Sequence, residues 1–289
     1  MSANPLMGLK IVTLAVNLPG PVAARALLRL GASVTKVEPA AADPMQHYCA
    51  DWYRELNAGQ AIVRLDLKTE EGRAGLAQLL LEADLLITAT RPASLAKLGL
   101  GWEELHEKYP RLCQVAIVGH AAPRQNEPGH DLTYQAEAGL LSPPQLPRTL
   151  LADMAGAEQA VGAALALLLG RERGAGSGFA EVALASAAAA MAEPLRYGVT
   201  AAGALLGGGL AGYNLYRAQD GWVALAALEP HFLRRLAAEL HCDGRDKDAL
   251  QKVFLNRTAG EWQQWGLARD LPLVALVGEE PCNRKEETR

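Results

Sequence analysis

Three ionisable groups stand where an ordinary solvated face does not explain them. Asp153 heads the apolar run "MAGAEQAVGAALALLLG", His130 sits beside Asp131 directly after Gly129, and Glu229 closes "GWVALAALE" just before Pro230. An aspartate ahead of an apolar helical run has two compatible readings. It is an N-cap, accepting a backbone N–H of the first turn, or it is a carboxylate kept ionised at the positive helix end and poised as a nucleophile. His130 lies in a loop broken by Pro123, Pro128, Pro143, Pro144 and Pro147. Histidine as a residue type suits proton exchange around neutrality, although a lone loop histidine is more often a surface or hydrogen-bonding residue. Asp131 either orients it or caps the helix "LTYQAEAG" that follows. Glu229 ends a strand or opens the helix "PHFLRRLAAEL".

Other chemistries lack their motifs. Gly207, Gly208 and Gly209 neither follow a strand nor open a helix, as a dinucleotide fingerprint must, and read better as a flexible lid. There is no Walker pattern in "LPGPVAARALLRLGA", and neither HExxH nor GxSxG occurs. Cys49, Cys113, Cys242 and Cys282 are far apart and form no CxxC pair, so zinc or redox chemistry is not expected and no metal site is read.

Elements able to position these groups follow from periodicity. "LKIVTLAV", "SVTKVEP", "AIVRLDLK", "DLLITAT" and "LCQVAIVG" read as strands, with helices "LPGPVAARALLRLGA", "TEEGRAGLAQLLLEA" (Thr69 as N-cap) and "GWEELHEKY" between them. Strands alternating with helices predict an α/β fold with a mainly parallel sheet covered on both faces. Residues 154–170 and 184–198 read as helices, and "YRAQDGWVALAAL" as a hairpin turning at Asp220-Gly221. A smaller second domain begins near residue 200, and the polar tail "VGEEPCNRKEETR" reads as frayed.

The chain is 50% hydrophobic and 21% charged over 289 residues, enough to bury a sizeable core. A net charge of -4 with no lysine-rich run argues against nucleic acid as a partner. The start "MSANPLMGLKIVTLAV" shows no charged leader with a long apolar region, which places the protein in the cytoplasm. Alanine-rich stretches broken by Gly and acidic residues read as buried helices, with no membrane partner.

With these residues laid out, the sequence resembles the class III CoA-transferase family, which includes formyl-CoA transferases, carnitine CoA-transferases and 2-methylacyl-CoA racemases. The resemblance runs in order through "GLKIVTLAVNLPGPVAARALLRLGASVTKVEP", "RLDLKTEEGRAGLAQLLLEADLLITATRPASLAKLGLGWEELHEKYPRLCQVAIVG", "GHDLTYQAEAGLLS", "LADMAGAEQA", "LLGGGLAGYNLYRAQDGWVALAALEPHF" and "FLNRTAGEWQQW". It implies a large Rossmann-like domain over 1–199, a smaller α+β domain over 200–289 that is shortened at its C-terminal end relative to the family, and an interlocked homodimer.

Carried over by position, the resemblance makes Asp153 the nucleophile that attacks an acyl-CoA thioester to give a mixed anhydride. It sets Arg91 and Lys97 near bound CoA, and Val16, Asn17 and Lys36 in the loops around its adenine and phosphates. Gly207, Gly208 and Gly209 would shield the acyl-aspartate from water. His130 and Glu229 match the racemases, in which a histidine-glutamate pair and the aspartate exchange a proton at C2; Thr149 stands where those racemases carry asparagine. The resemblance thus implies transfer of CoA between carboxylic acids, with 2-methylacyl-CoA racemisation or non-catalytic CoA binding as alternatives. Acyl-CoA and a carboxylic acid are the implied partners, and the CoA thioester is a substrate, with no permanently bound cofactor.

Overall fold

The computed structural model describes residues 4–276, which form two compact units dividing between Ala192 and Glu193. Cys282 and the polar tail lie outside the described residues.

The first unit runs β1 (Lys10–Thr13), α1 (Pro19–Arg29), β2 (Ser33–Glu38), α2 (Met45–Tyr48), α3 (Ala50–Asn57), β3 (Ala61–Arg64), α4 (Glu70–Leu81), β4 (Leu85–Thr88), α5 (Pro92–Ala96), α6 (Trp102–Lys108), β5 (Cys113–Val118), α7 (Asp131–Glu137), α8 (Leu151–Gly170), β6 (Phe179–Ala183) and α9 (Leu184–Met191). Its six strands pair in the order β3-β2-β1-β4-β5-β6, every pair parallel. The central strands are continuous apolar runs because helices cover both faces. Ile11, Leu85 and Ile87 enter one core while Val12 and Leu86, one residue out of step, enter the other. Ile11 pairs with Val34 on one side and Leu85 on the other, so β1 is where the chain reverses its direction of travel across the sheet.

Two local features of the helices follow from the sequence. Thr69 caps α4 as its sequence predicts, its hydroxyl accepting the Gly72 N–H at 3.0 Å. In α8 the small residues Gly156, Ala157, Ala160 and Ala164 are buried, which brings this helix close to α1, α9 and β5. A Cβ at Gly156 would stand 2.3 Å from Leu184 Cδ2. The helix read over 154–170 is present and starts three residues earlier, at Leu151; its interior glycines cost only about 1 kcal/mol each, which tertiary packing offsets. Leu151–Ala175 is long and apolar enough to cross a membrane by length and composition alone; one face of it, through Ala157, Ala160, Ala164 and Leu168, joins the core on the sheet.

The second unit comprises α10 (Glu193–Arg196), β7 (Tyr213–Arg217), β8 (Trp222–Ala226), α11 (Pro230–Leu240), α12 (Lys247–Phe254), α13 (Ala259–Leu267) and β9 (Leu273–Ala275). β7 and β8 form the expected hairpin, closed by Ala218 N–H on Gly221 O at 2.9 Å, and β9 adds antiparallel to β8. Its core is aromatic, with Phe254 stacked edge-on to Trp262 and Trp262 to Trp265.

Candidate active site

In a doubly wound sheet the crevice for a ligand forms beyond the carboxyl ends of the strands, where successive connections diverge. Here β1 and β4 flank that point, and a cavity of about 870 Å³ opens there. Its walls come from the loops after β1, β4 and β5 and from the first turns of α7 and α8, bringing together Val16, Asn17, Arg91, His130 and Asp153.

The loop after β1 is held in a conformation few side chains favour. Asn17 has a φ of 64°, its N–H donates to Asp43 Oδ1 at 3.0 Å, and its Oδ1 accepts the Tyr48 hydroxyl at 2.8 Å. Asp43 is fully buried and also accepts the Met45 N–H at 2.9 Å. Its countercharge is Lys36, whose Nζ lies 2.6 Å from Asp43 Oδ2 and 3.3 Å from Glu38 Oε1. Lys36, expected in a loop around bound CoA, instead lies within β2 and does not line the cavity. Its ammonium is fully buried and committed to two carboxylates, because desolvated acids require a cation beside them. The lysine reaches the cavity only through Asp43, which ties down the Asn17 loop.

Asp153 is not the N-cap of its helix. α8 begins two residues earlier, Leu150 holds the cap position without a side-chain bond, and Asp153 is in the first turn. The cap comes from another helix: Asp131 Oδ1 accepts the Asp153 N–H at 3.0 Å, while Asp131 Oδ2 accepts Gln135 Nε2 at 2.5 Å. Gln135 also donates to Thr149 O at 3.2 Å, fastening the segment that leads into α8. Asp131 thus neither orients His130 nor caps α7; it occupies the electropositive end of α8. Burial, helped by the nearby Asp131 charge, pushes the Asp153 carboxyl up to about 7. An acid held there exchanges between protonated and ionised forms around neutrality.

His130 is the N-cap residue of α7, its N–H on Thr133 Oγ1 at 3.1 Å, with an exposed ring at the cavity. Two neighbours carried no signal in the sequence reading. His120, after β5, is buried with Nε2 3.1 Å from Glu137 Oε2, and Arg124 and His120 hold the Glu137 carboxyl below its ordinary range. Tyr134 lies edge-on to the His120 ring at 5.2 Å and borders the cavity.

Lys97 is exposed at the end of α5 and does not line the cavity, whereas Arg91, ahead of α5, does. Glu229 and the three glycines belong to the second unit. Glu229 precedes Pro230 at the start of α11 without capping it through its side chain. Gly207, Gly208 and Gly209 form a wide turn rather than a free loop: Gly208 has a φ of 92°, and its carbonyl accepts Lys247 Nζ at 2.9 Å. A Cβ at Gly207 would meet Ala201 O at 1.8 Å, so only glycine fits.

The model of CoA-transferase family III matches residues 6–274. The chain belongs to CoA-transferase family III. One relative, named "Probable fatty acyl-CoA transferase Rv3272", from Mycobacterium tuberculosis, is 32% identical over 63% of this chain and 51% of its own length. The cinnamoyl-CoA:phenyllactate CoA-transferase of Clostridium sporogenes is 35% identical over 46% of this chain and 35% of its own. The chain thus spans about half or less of the length of these two curated relatives. The crystal structure of Rv3272 superimposes with a TM-score of 0.84 at 26% identity, covering 96% of this chain and 86% of that one. The α/β architecture with its six-stranded parallel sheet is therefore that of family III.

Proposed function

We propose that this chain transfers CoA between carboxylic acids, with the Asp153 carboxylate as nucleophile. One observation carries the reading: a half-buried aspartate, poised near neutrality, stands on the wall of a cavity at the sheet's switch point. Ionised Asp153 attacks the thioester carbonyl carbon; the C–S bond breaks and CoA leaves as thiolate, giving an acyl-aspartyl anhydride. Return of the thiolate to Asp153 Cγ releases the donor acid and leaves an aspartyl-CoA thioester. The acceptor carboxylate attacks that carbon, expelling thiolate again, and thiolate attack on the acceptor's acyl carbon frees Asp153. A raised carboxyl pKa favours this cycle, because a more basic carboxylate is the stronger nucleophile.

Arg91 supplies a cation at the cavity mouth for the phosphates of CoA or for the acceptor acid. The relatives named above are CoA-transferases by name, which favours transfer over the other chemistries of the family. A homodimer, a cytoplasmic location, and roles for Lys97 and Gly207, Gly208 and Gly209 belong to the same reading; sedimentation of the purified chain tests the first. The test of the reaction is Asp153→Ala, assayed with a panel of acyl-CoA donors and acceptor acids. Exchange should fall by about three orders of magnitude or more, and hydroxylamine should trap the acylated aspartate in the unmutated protein. Full exchange in the variant refutes the nucleophile, and CoA binding without turnover across the panel points to a non-catalytic family member.

Racemisation is the second reading, favoured by His130 and Asp153 sharing one cavity. It requires a base on each face of the substrate carbon. Deuterium entering C2 of a 2-methylacyl-CoA without any acceptor acid selects it.

A further inference from the structure

Tyr134 is 2% exposed, yet it borders the cavity that holds Asp153. Buried tyrosine hydroxyls ordinarily find a partner. Tyr53 donates to Glu38 Oε1 at 2.7 Å and Tyr216 to Ala211 O at 2.7 Å. No hydrogen bond among the described residues involves the Tyr134 hydroxyl, so its donor is free on the cavity side.

The surroundings hold that hydroxyl in place. A Cβ on Gly119 would stand 2.3 Å from Tyr134 Oη, and one on Gly129 would stand 2.6 Å from it. Both glycines line the cavity, so the hydroxyl rests against two stretches of bare backbone, and the edge-on contact with His120 fixes the ring. The phenol lies above its ordinary range through burial and then the charge of Asp153, with Arg91 acting in the opposite direction. It therefore keeps its proton at neutral pH and senses the charges of Asp153 and Arg91.

We propose that the Tyr134 hydroxyl binds the thioester carbonyl oxygen of acyl-CoA and the oxyanion formed there when the carbonyl is attacked. This rests on the reading of Asp153 as the attacking group. As the Asp153 oxygen bonds to the carbonyl carbon, the C=O electron pair moves onto oxygen, and the preset O–H stabilises it. When the pair returns and thiolate leaves, the tyrosine still holds its proton. A donor fixed beforehand needs no reorganisation as charge develops, which makes such groups effective.

Tyr134→Phe keeps the ring on His120 and removes only the donor. The probes are a ketone analogue of acetyl-CoA, with CH₂ in place of sulfur, and S-ethyl-CoA, which lacks the carbonyl. By calorimetry the unmutated protein should bind the ketone about tenfold more tightly than S-ethyl-CoA. In Tyr134→Phe that preference should vanish while affinity for free CoA stays level, and acyl exchange should slow by about 10²-fold. A ketone preference that survives in the variant, or is missing from the unmutated protein, overturns the proposal. Asp153→Ala keeps the two readings apart: exchange that persists in it sinks the nucleophile, whereas the ketone preference reports on Tyr134 alone.

Discussion

Asp131 Oδ1 accepts the backbone N–H of Asp153 at 3.0 Å, so one carboxylate from α7 caps the helical turn that carries another. The arrangement serves two ends. It satisfies an orphan donor of α8 that Leu150 cannot reach with its side chain. It also sets a negative charge beside Asp153, adding to the burial that holds this acid near 7.

The first prediction concerns pH. The nucleophile is the ionised form, so the rate of acylation of Asp153 should rise with pH and level off above an inflection near 7. Asp131→Asn removes the neighbouring charge and should move the inflection to lower pH, by less than burial raises it, since burial is the larger cause. Single-turnover acylation measured between pH 5 and pH 9 checks both; an inflection that stays put in Asp131→Asn removes Asp131 from the account.

Stability should run in the opposite direction. A carboxyl whose pKa is higher in the folded chain than in the unfolded one is penalised wherever the unfolded chain is ionised and the folded one must follow. The penalty is absent below about pH 4, grows as pH rises, and is complete above about 7. Asp153→Asn should therefore stabilise the protein at pH 8 by about 2 kcal/mol, after allowing for solvent in the open cavity, and do nothing at pH 4. Urea unfolding at the two pH values measures the difference.

Lys36 and Arg91 should separate structural from ligand-binding charge. Lys36→Met leaves Asp43 buried without its cation and Glu38 with only Arg64 Nε at 3.8 Å, and should cost about 3–5 kcal/mol of stability. Arg91→Ala should leave the unfolding midpoint nearly unchanged and weaken CoA binding, with a smaller dependence on salt. Thermal unfolding and CoA titration at two ionic strengths distinguish the two variants, and a Lys36→Met protein of unaltered stability would contradict the buried triad.

Gly20 makes a packing prediction. A Cβ there would lie 2.0 Å from Ala15 Cβ, inside the turn that leads from β1 into α1. Alanine favours a helix over glycine by about 1 kcal/mol, but this overlap involves a rigid methyl that cannot rotate away. Gly20→Ala should therefore destabilise by about 1–3 kcal/mol and lower CoA affinity by shifting the Asn17 loop. A more stable variant would show that the turn yields.

What could be read along the chain was whatever local periodicity and local capping decide. The strands "LKIVTLAV", "DLLITAT" and "LCQVAIVG", the Thr69 cap and the Asp220-Gly221 turn each depend on neighbours within a few residues. So does the recognition of Asp153, His130 and Arg91, which fall in ordered family motifs and line one cavity. Other features depend on partners far apart in sequence. The cap on α8 comes from a residue 22 positions earlier, and the Tyr134 hydroxyl is seated by Gly119 as well as by nearby Gly129. Lys36 falls in a motif that the resemblance sets around CoA, yet it is the countercharge of Asp43 and Glu38, because folding removes all three from water together. Residue type and spacing determined which groups were available for chemistry. Burial and long-range pairing, which exist only once the sheet is closed over by its helices, decided which of them stayed free to act.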